Sequence, residues 1–232
     1  MKIQQMNLAV VKHSFIISIL IISFSSCLGP KKINKWTEKK YAGRVNEPVR
    51  KKSDFITITS ALAPMGEQAC NTEKKTSHLL PLLFYWQWDY KNTCTLNPKI
   101  PVNNFTSTVL SYSNSKLKQK LNGQTIQLSI DQIPNAYAID DKGHLIWLIY
   151  AFGWDLITVQ PEASNLVVSY KVLDTNGAET KKGTIRIADS NKTFALKEFQ
   201  SLKKKTWKYL DQYDASITTM SKQFVDQLLT QL

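Results

Sequence analysis

Residues 206–231 read TWKYLDQYDASITTMSKQFVDQLLTQ, and this stretch decides the fold class because it specifies one long amphipathic helix. Its apolar side chains recur every three or four residues, the spacing that places them on one face of an α-helix. They are Leu210, Tyr213, Ile217, Met220, Phe224 and Leu228. The opposite face is mixed Asp, Gln, Ser and Thr rather than basic, so we expect the helix to pack on a sheet.

Upstream of this helix the apolar pattern has a period of two, which indicates β-strands. Alternation is clearest in Leu82–Tyr90, where Phe84, Trp86, Trp88 and Tyr90 make one face aromatic. Such a face is either core or a platform for a ligand, and the large area that aromatic residues bury favours core. Residues 145–152 are apolar on both faces, which predicts a central strand or a strand whose second face is functional. Turn residues at 140–143 and 174–177 divide the strands.

A second helix is predicted at about residues 102–122, ended by Asn122 and Gly123. Together these patterns predict an α+β fold: a mostly antiparallel β-sheet with two helices, about 102–122 and 206–231, packed on it. The residues expected to be buried at this sheet–helix interface are Trp86, Trp88, Trp147, Ile149, Leu210, Ile217 and Phe224.

The first 27 residues read as an export signal that ends in a cysteine. A basic start precedes a ten-residue apolar run, Phe15 to Phe24, which is too short to span a bilayer and right for the core of a secretory signal. Phe24-Ser25-Ser26-Cys27 resembles the lipobox of bacterial lipoproteins, with Phe24 where Leu is usual. An ordinary signal that leaves Cys27 as a free thiol is the alternative.

The resemblance to bacterial lipoproteins implies cleavage before Cys27 and lipidation of its thiol. Several acyl chains together make such an anchor effectively permanent. Leu28 follows Cys27 where inner-membrane lipoproteins carry Asp, which implies the outer membrane, with the protein on the periplasmic side. We therefore expect three parts: a signal peptide at 1–26, a lipidated basic tether at 27–53, and a single α+β domain at 54–232. The tether is expected to be flexible.

Net charge restricts the partners of the chain. Without residues 1–26 it keeps 28 of 30 basic residues and all 18 acidic ones, a net charge of +10. An exported basic protein meets anionic lipids, lipopolysaccharide or peptidoglycan, and we expect no nucleic acid partner. The alternative is that the lysines only make the surface soluble.

Two further cysteines, Cys70 and Cys94, are candidates for a disulfide bond in an oxidising compartment, with two free thiols as the alternative. Their spacing fits no metal motif, and we expect neither a metal nor a cofactor. No catalytic residue is predicted either. Asp89, Asp131 and Asp155, like Glu162, lie near aromatic segments, but turn or strand-edge roles explain each of them.

The order of elements over residues 82–232 resembles that of small auxiliary lipoproteins of Gram-negative envelope transport, including those of ABC-type systems and the lipopolysaccharide-assembly lipoprotein. This resemblance implies a non-enzymatic accessory or binding subunit in the cell envelope, whose partner is an envelope protein or an amphiphile. It identifies no binding residue. A structural lipoprotein that binds peptidoglycan or lipopolysaccharide is one alternative, and an envelope hydrolase with two converging acids is another.

Overall fold

The computed structural model describes residues 29–46, 52–62, 68–80, 85–147, 151–162, 164–197 and 200–232. Its helices are α1 (Pro30–Tyr41), α2 (Lys99–Tyr112), α3 (Asn114–Leu121) and α4 (Leu202–Gln231), and a 3-10 turn spans Arg44–Asn46. Its strands are β1 (Ile56–Ser60), β2 (Ala69–Leu80), β3 (Tyr85–Thr95), β4 (Thr125–Gln132), β5 (Ala136–Trp147), β6 (Ala151–Pro161), β7 (Leu166–Leu173), β8 (Glu179–Ile187) and β9 (Phe194–Ala195).

The strands form two sheets rather than one. The first has the order β1-β4-β7-β8, with β1 parallel to β4, and the second has the order β2-β3-β5-β6-β9 and is antiparallel throughout. The predicted single sheet with two helices is therefore wrong, although the α+β class holds. Residues 69–80, which carry no predicted strand, form an exposed strand at the edge of the second sheet, where polar side chains are stable in solvent.

The core lies where α4 crosses both sheets. Leu210, Ile217 and Phe224 are almost completely buried, as predicted, and the ring of Phe224 packs on that of Phe105 with centroids 5.5 Å apart. The prediction for the tryptophans of this interface is wrong: Trp86, Trp88 and Trp147 are only half-buried on the second sheet. Ile149 lies outside the described residues.

The helix predicted at about 102–122 is two helices, α2 and α3, separated at Ser113. The Ser113 hydroxyl donates to the carbonyl of Val109 at 2.6 Å, a side-chain bond that competes with the regular helical ladder. The end of α3 follows the sequence signal, because Asn122 and Gly123 both have positive φ, a conformation that ends helices.

Residues 30–41, expected to belong to a flexible tether, form helix α1. Ile33, Thr37 and Tyr41 follow one another at intervals of four and are buried. The Thr37 hydroxyl shares a hydrogen bond of 2.6 Å with the Tyr137 hydroxyl on β5. This helix therefore belongs to the same core as the sheets, because its short apolar stripe has a sheet and a helix to pack against.

Candidate binding surface

Four strands of the second sheet continue beyond the helices as an extended arm. We define the arm as residues 74–80, 85–91, 140–147 and 151–157, which pair continuously across β2, β3, β5 and β6. At the base of the arm Cys70 lies opposite Cys94, and the two form a disulfide bond, which confirms that prediction. The bond joins the edge strand β2 to β3 at the point where the sheet leaves the core.

The arm carries most of the exposed apolar surface of the described residues. Six large apolar side chains are exposed among the described residues. Five of them lie on the arm, and the sixth, Tyr112, lies on α2. The five are Leu79, Leu80, Phe152, Trp154 and Leu156, and their exposed fractions range from 53% to 62%. Such a concentration of exposed apolar side chains in one part of a protein indicates a site of interaction.

One face of the arm is built on a tryptophan pair. The rings of Trp86 and Trp88 are 5.0 Å apart, and Trp86 donates its indole hydrogen to Ser77 at 2.7 Å. Trp88 lies directly over Gly143, where a Cβ atom would come within 2.2 Å of the ring. Its indole donates to Asp141 at 2.8 Å.

These contacts also explain why residues 140–143 do not form the predicted turn. They continue β5, because Gly143 provides the space for the Trp88 ring and Asp141 accepts its hydrogen bond. Gly143 and Asp141, whose residue types indicate a turn, therefore contact the Trp88 indole within a β-strand.

The opposite face of the arm carries a second aromatic group. Tyr85 and His144 share a hydrogen bond of 2.7 Å, and the His144 ring lies 4.9 Å from that of Trp154. Residues that lie directly opposite each other on neighbouring strands share a face of the sheet. Ile146 lies opposite both Tyr85 and Phe152, so Phe152 is on the same face as this group. Both faces of the arm are therefore apolar at its distal end.

The described ends of the arm's strands are apolar as well. They are Leu80 on β2, Tyr85 on β3, Trp147 on β5 and Ala151 on β6.

Charged residues lie nearer the core and neutralise one another. Lys74 is 2.6 Å from Asp89, and Lys142 also approaches that carboxylate at 3.9 Å. Lys91 lies 3.0 Å from Glu73 and 2.7 Å from Glu162, and these contacts raise the pKa of the Lys91 ammonium. The arm thus changes from ion-paired at its base to aromatic at its tip.

The acids singled out from the sequence are dispersed. Asp89 and Glu162 take part in the ion pairs above, and Asp131 accepts hydrogen bonds from Ser129 and Ser169 on the other sheet. Asp155 lies close enough to Asp141, an acid that the sequence analysis did not single out, for its charge to act on that carboxyl group. Burial raises the pKa of Asp141, the hydrogen bond from Trp88 opposes that rise, and the charge of Asp155 adds to it.

The two carboxyl groups lie on an open strand face rather than across a groove. Asp141 pairs with Ile157 and Gly143 pairs with Asp155, so the acids are diagonal neighbours on β5 and β6. A glycosidase holds its two acids on opposite sides of the scissile bond. This arrangement presents two acids beside Trp88 without enclosing a substrate between them.

Sequence reasoning missed the exposed residues of β6. Phe152, Trp154 and Leu156 alternate with Gly153 and Asp155, a pattern that indicates a strand. The predicted strand at 145–152 includes only Phe152, whereas in the structure all three lie on β6. Cys27, the predicted lipidation site, lies outside the described residues. Within the described part of the chain no group of His, Cys, Asp or Glu could hold a metal ion, and no helix there is long and apolar enough to cross a membrane.

Comparisons of the chain with protein-family models, with curated proteins and with solved structures found no match.

Proposed function

We propose that the protein is a lipid-anchored protein of the outer membrane, on its periplasmic side, that works by binding an apolar partner through the arm and not by catalysis. The observation that carries this proposal is the concentration of exposed apolar side chains on the distal arm. Leaving these side chains in water costs free energy, roughly 25 cal/mol for each Å² of apolar surface. A partner that covers the arm recovers that energy. An envelope protein and an amphiphile both fit this chemistry.

The arm is also built for contact rather than for its own stability. Its tryptophans Trp86 and Trp88 are held by hydrogen bonds to Ser77 and Asp141, and both side chains stay partly exposed. Rigid aromatic anchors lose little conformational entropy on binding and dominate the energetics of interfaces. This preorganisation supports a binding role.

Anchoring is tested by metabolic labelling with a fatty-acid analogue. We expect the wild-type protein to carry the label and the Cys27→Ala variant to lose it. A label that persists in the variant, or wild-type protein recovered unlabelled from the periplasm, contradicts the anchor. This experiment is independent of the arm, so the two halves of the proposal can fail separately.

Binding through the arm is tested by photo-crosslinking in intact cells. A photoreactive amino acid that replaces Phe152 should give a specific adduct with an envelope protein or a lipid. The matched control is the same substitution at Tyr112, an exposed apolar residue on α2 away from the arm. Equal adducts from both positions, or none from Phe152, contradict the proposed surface. Melting curves must show that both variants fold.

The proximity of Asp141 and Asp155 keeps an envelope hydrolase as a second candidate, although no groove separates the two acids. Its test is incubation of the purified protein with peptidoglycan, followed by analysis of the soluble products. Turnover that disappears in Asp141→Asn and in Asp155→Asn would support the hydrolase and contradict the binding proposal. Products that persist in both variants would exclude these acids as the catalytic residues.

A further inference from the structure

The arm has two outer strands, and only one of them carries the features that keep a strand edge from pairing. On β2 these features are Lys74, Lys75 and a bulge between Thr72 and Lys74. Charged side chains and bulges of this kind prevent an edge from adding a further strand. The part of β6 from Ala151 to Leu156 has no lysine, no proline and no bulge, and its register with β5 is unbroken. We call this part of β6 the open edge.

Strand β9 covers β6 only next to the core. It pairs with β6 at Thr158 and Val159, and just beyond these pairs Leu196 donates its backbone N–H to the Ile157 carbonyl at 2.7 Å. Among the described residues no strand pairs with β6 on this side farther from the core than Ile157. The described strands therefore leave the open edge free to accept one more strand.

The backbone groups that face outward on the open edge belong to alternate residues. In an antiparallel strand the N–H and C=O of one residue point to one neighbouring strand, and those of the next residue point to the other. The Ile157 carbonyl faces the β9 side, so the backbone groups of Asp155, Gly153 and Ala151 face that side as well. These three residues offer hydrogen-bond donors and acceptors to an added strand.

We infer that the partner of the arm is a second copy of the chain, whose β6 pairs antiparallel with this β6 about a two-fold axis at Gly153. Gly153 then lies opposite Gly153 of the partner subunit, and Ala151 lies opposite Asp155 of the partner subunit. These outward-facing residues exchange backbone hydrogen bonds and join the two arms in one sheet. This inference rests on the proposed function and names the partner.

The same register brings the exposed aromatic side chains of β6 together. Phe152 of each copy lies opposite Trp154 of the partner subunit, so the interface contains two such pairs. Both pairs occupy positions without hydrogen bonds, where residues on facing strands approach most closely. Cross-strand aromatic pairs stabilise a sheet. Here they cover side chains that are 62% and 58% exposed in the single chain.

The contact with Leu196 selects Gly153 as the axis over the next residue. An axis at Trp154 would set Ala151 against Ile157 of the partner subunit, and the outward carbonyl of Ile157 already accepts a hydrogen bond from Leu196. The two chains would then compete for one place beside β6. With the axis at Gly153 the pairing ends at Asp155, so Leu196 keeps its place.

Charge favours the same axis and a second copy of the chain. Asp155 is the only charged residue of the open edge, and an axis there would set two carboxylates directly opposite each other, which is destabilising. With the axis at Gly153 they are four residues apart along the strand, roughly 14 Å, which exceeds the screening length at physiological salt. A fitting strand needs aromatic residues that alternate with a small residue and no acid opposite Asp155. The open edge itself meets these requirements.

The dimer is tested by sedimentation equilibrium of the full-length chain carrying Cys27→Ala, which makes the result independent of the anchor. We expect a reversible equilibrium between monomer and dimer. Phe152→Lys should raise its dissociation constant at least about tenfold, because both aromatic pairs lose a ring and gain a charge. The matched control is Leu79→Lys on β2, since Leu79 and Phe152 are equally exposed at 62%. The control should leave the dissociation constant unchanged.

A chain that stays monomeric at every concentration at which it is soluble overturns the inference. A dissociation constant that is the same in Phe152→Lys and in the parent protein overturns it as well, because the dimer then uses another surface. An equal increase in Phe152→Lys and Leu79→Lys overturns it too, since the effect then follows added charge on the arm rather than the open edge.

The register is tested by disulfide trapping in the same background with two single variants, Phe152→Cys and Trp154→Cys. The chain's other cysteines, Cys70 and Cys94, are joined to each other. Positions 152 and 154 face each other in the proposed dimer, with Cα atoms roughly 4.5 Å apart, a distance that a disulfide spans. Two copies of one variant place their thiols at diagonal positions, roughly 7–8 Å apart.

We therefore expect an equimolar mixture of the two variants to form disulfide-linked dimers faster than either variant alone under mild oxidation. The second aromatic pair of that mixed dimer keeps its native residues. A mixture that is no faster than the single variants overturns the register at Gly153. This measurement does not depend on the lysine variants, so it decides the inference even if those variants fail to fold.

Failure of this inference differs from failure of the proposed function. If the purified chain stays monomeric but position 152 crosslinks to a different protein or to a lipid in cells, the arm binds a partner that is not a second copy. If the chain stays monomeric and position 152 gives no adduct in cells, both proposals fall. Dimers in solution together with adducts of the chain to itself in cells support both.

Discussion

Two neighbouring tyrosines of α4 provide a sharp test of how the core is held together. Tyr209 and Tyr213 are both almost completely buried, and burial raises the pKa of each phenol, so both are neutral at ordinary pH. The hydroxyl of Tyr213 donates to the Pro134 carbonyl at 2.6 Å. The hydroxyl of Tyr209 has no hydrogen-bond partner among the described residues. The same change, Tyr to Phe, should therefore lower the free energy of unfolding at Tyr213 but not at Tyr209.

Tyr213→Phe removes a donor and leaves a buried carbonyl without it, which should lower the free energy of unfolding by about 1–3 kcal/mol. Tyr209→Phe removes a hydroxyl that gains nothing from burial, so it should leave the free energy of unfolding unchanged or raise it by about 1 kcal/mol. Both variants keep the ring, including the contact of Tyr209 with Tyr137. The difference between the variants thus isolates the hydrogen bond.

Urea denaturation monitored by circular dichroism measures both values, with the slope of the transition expected to stay constant. In thermal melts of a chain of this size, 1 kcal/mol corresponds to a shift of about 2–4 °C. A loss at Tyr209 as large as that at Tyr213 would refute the reasoning, because it would mean that the Tyr209 hydroxyl has a partner of equal value.

Three other measurements test the division between core and arm. Phe224→Ala should lower the free energy of unfolding by about 3–5 kcal/mol because it leaves a cavity in the core. Trp154→Ala should lower it by less than about 1 kcal/mol, because that side chain is 58% exposed. Similar losses in both variants would contradict the assignment of the arm. Replacement of Cys70 and Cys94 by Ala should cost about 3 kcal/mol by the loop-entropy estimate, and a non-reduced digest that contains both as free thiols would show that the bond does not form. Asp141→Asn should stabilise the fold at neutral pH, because the raised pKa means that ionisation is unfavourable in the folded state. That gain should vanish at acid pH, where the carboxyl is protonated in both states, and a gain independent of pH would exclude charge as its cause.

Much of the local structure could be predicted because it depends on residues close in sequence. The period of the apolar stripe in α4 and the positive φ of Asn122 and Gly123 after α3 follow from neighbouring residues alone. The disulfide was a candidate because only two cysteines follow Cys27. Lipidation of Cys27 stays a prediction.

The candidate site could not be predicted, because a buried aromatic strand and an exposed aromatic strand have the same sequence pattern. Trp88 and Phe224 are both large apolar residues at the correct period for burial, yet only Phe224 is covered. Coverage depends on how far the second sheet extends past α4, which is a relation between elements distant in the chain. The mispredicted turn has the same origin, since Gly143 serves an indole on another strand.

The sequence by itself therefore determined the α+β class and the long helix α4, since composition and periodicity are local properties. Only the tertiary structure decided that the strands divide into two sheets and that α1 joins the core. It also decided that the aromatic strands continue as an arm past the core. The physical reason is that the burial of an apolar face depends on contact with a second element. Such a face becomes core only where another helix or strand covers it, and the helices end before the arm does.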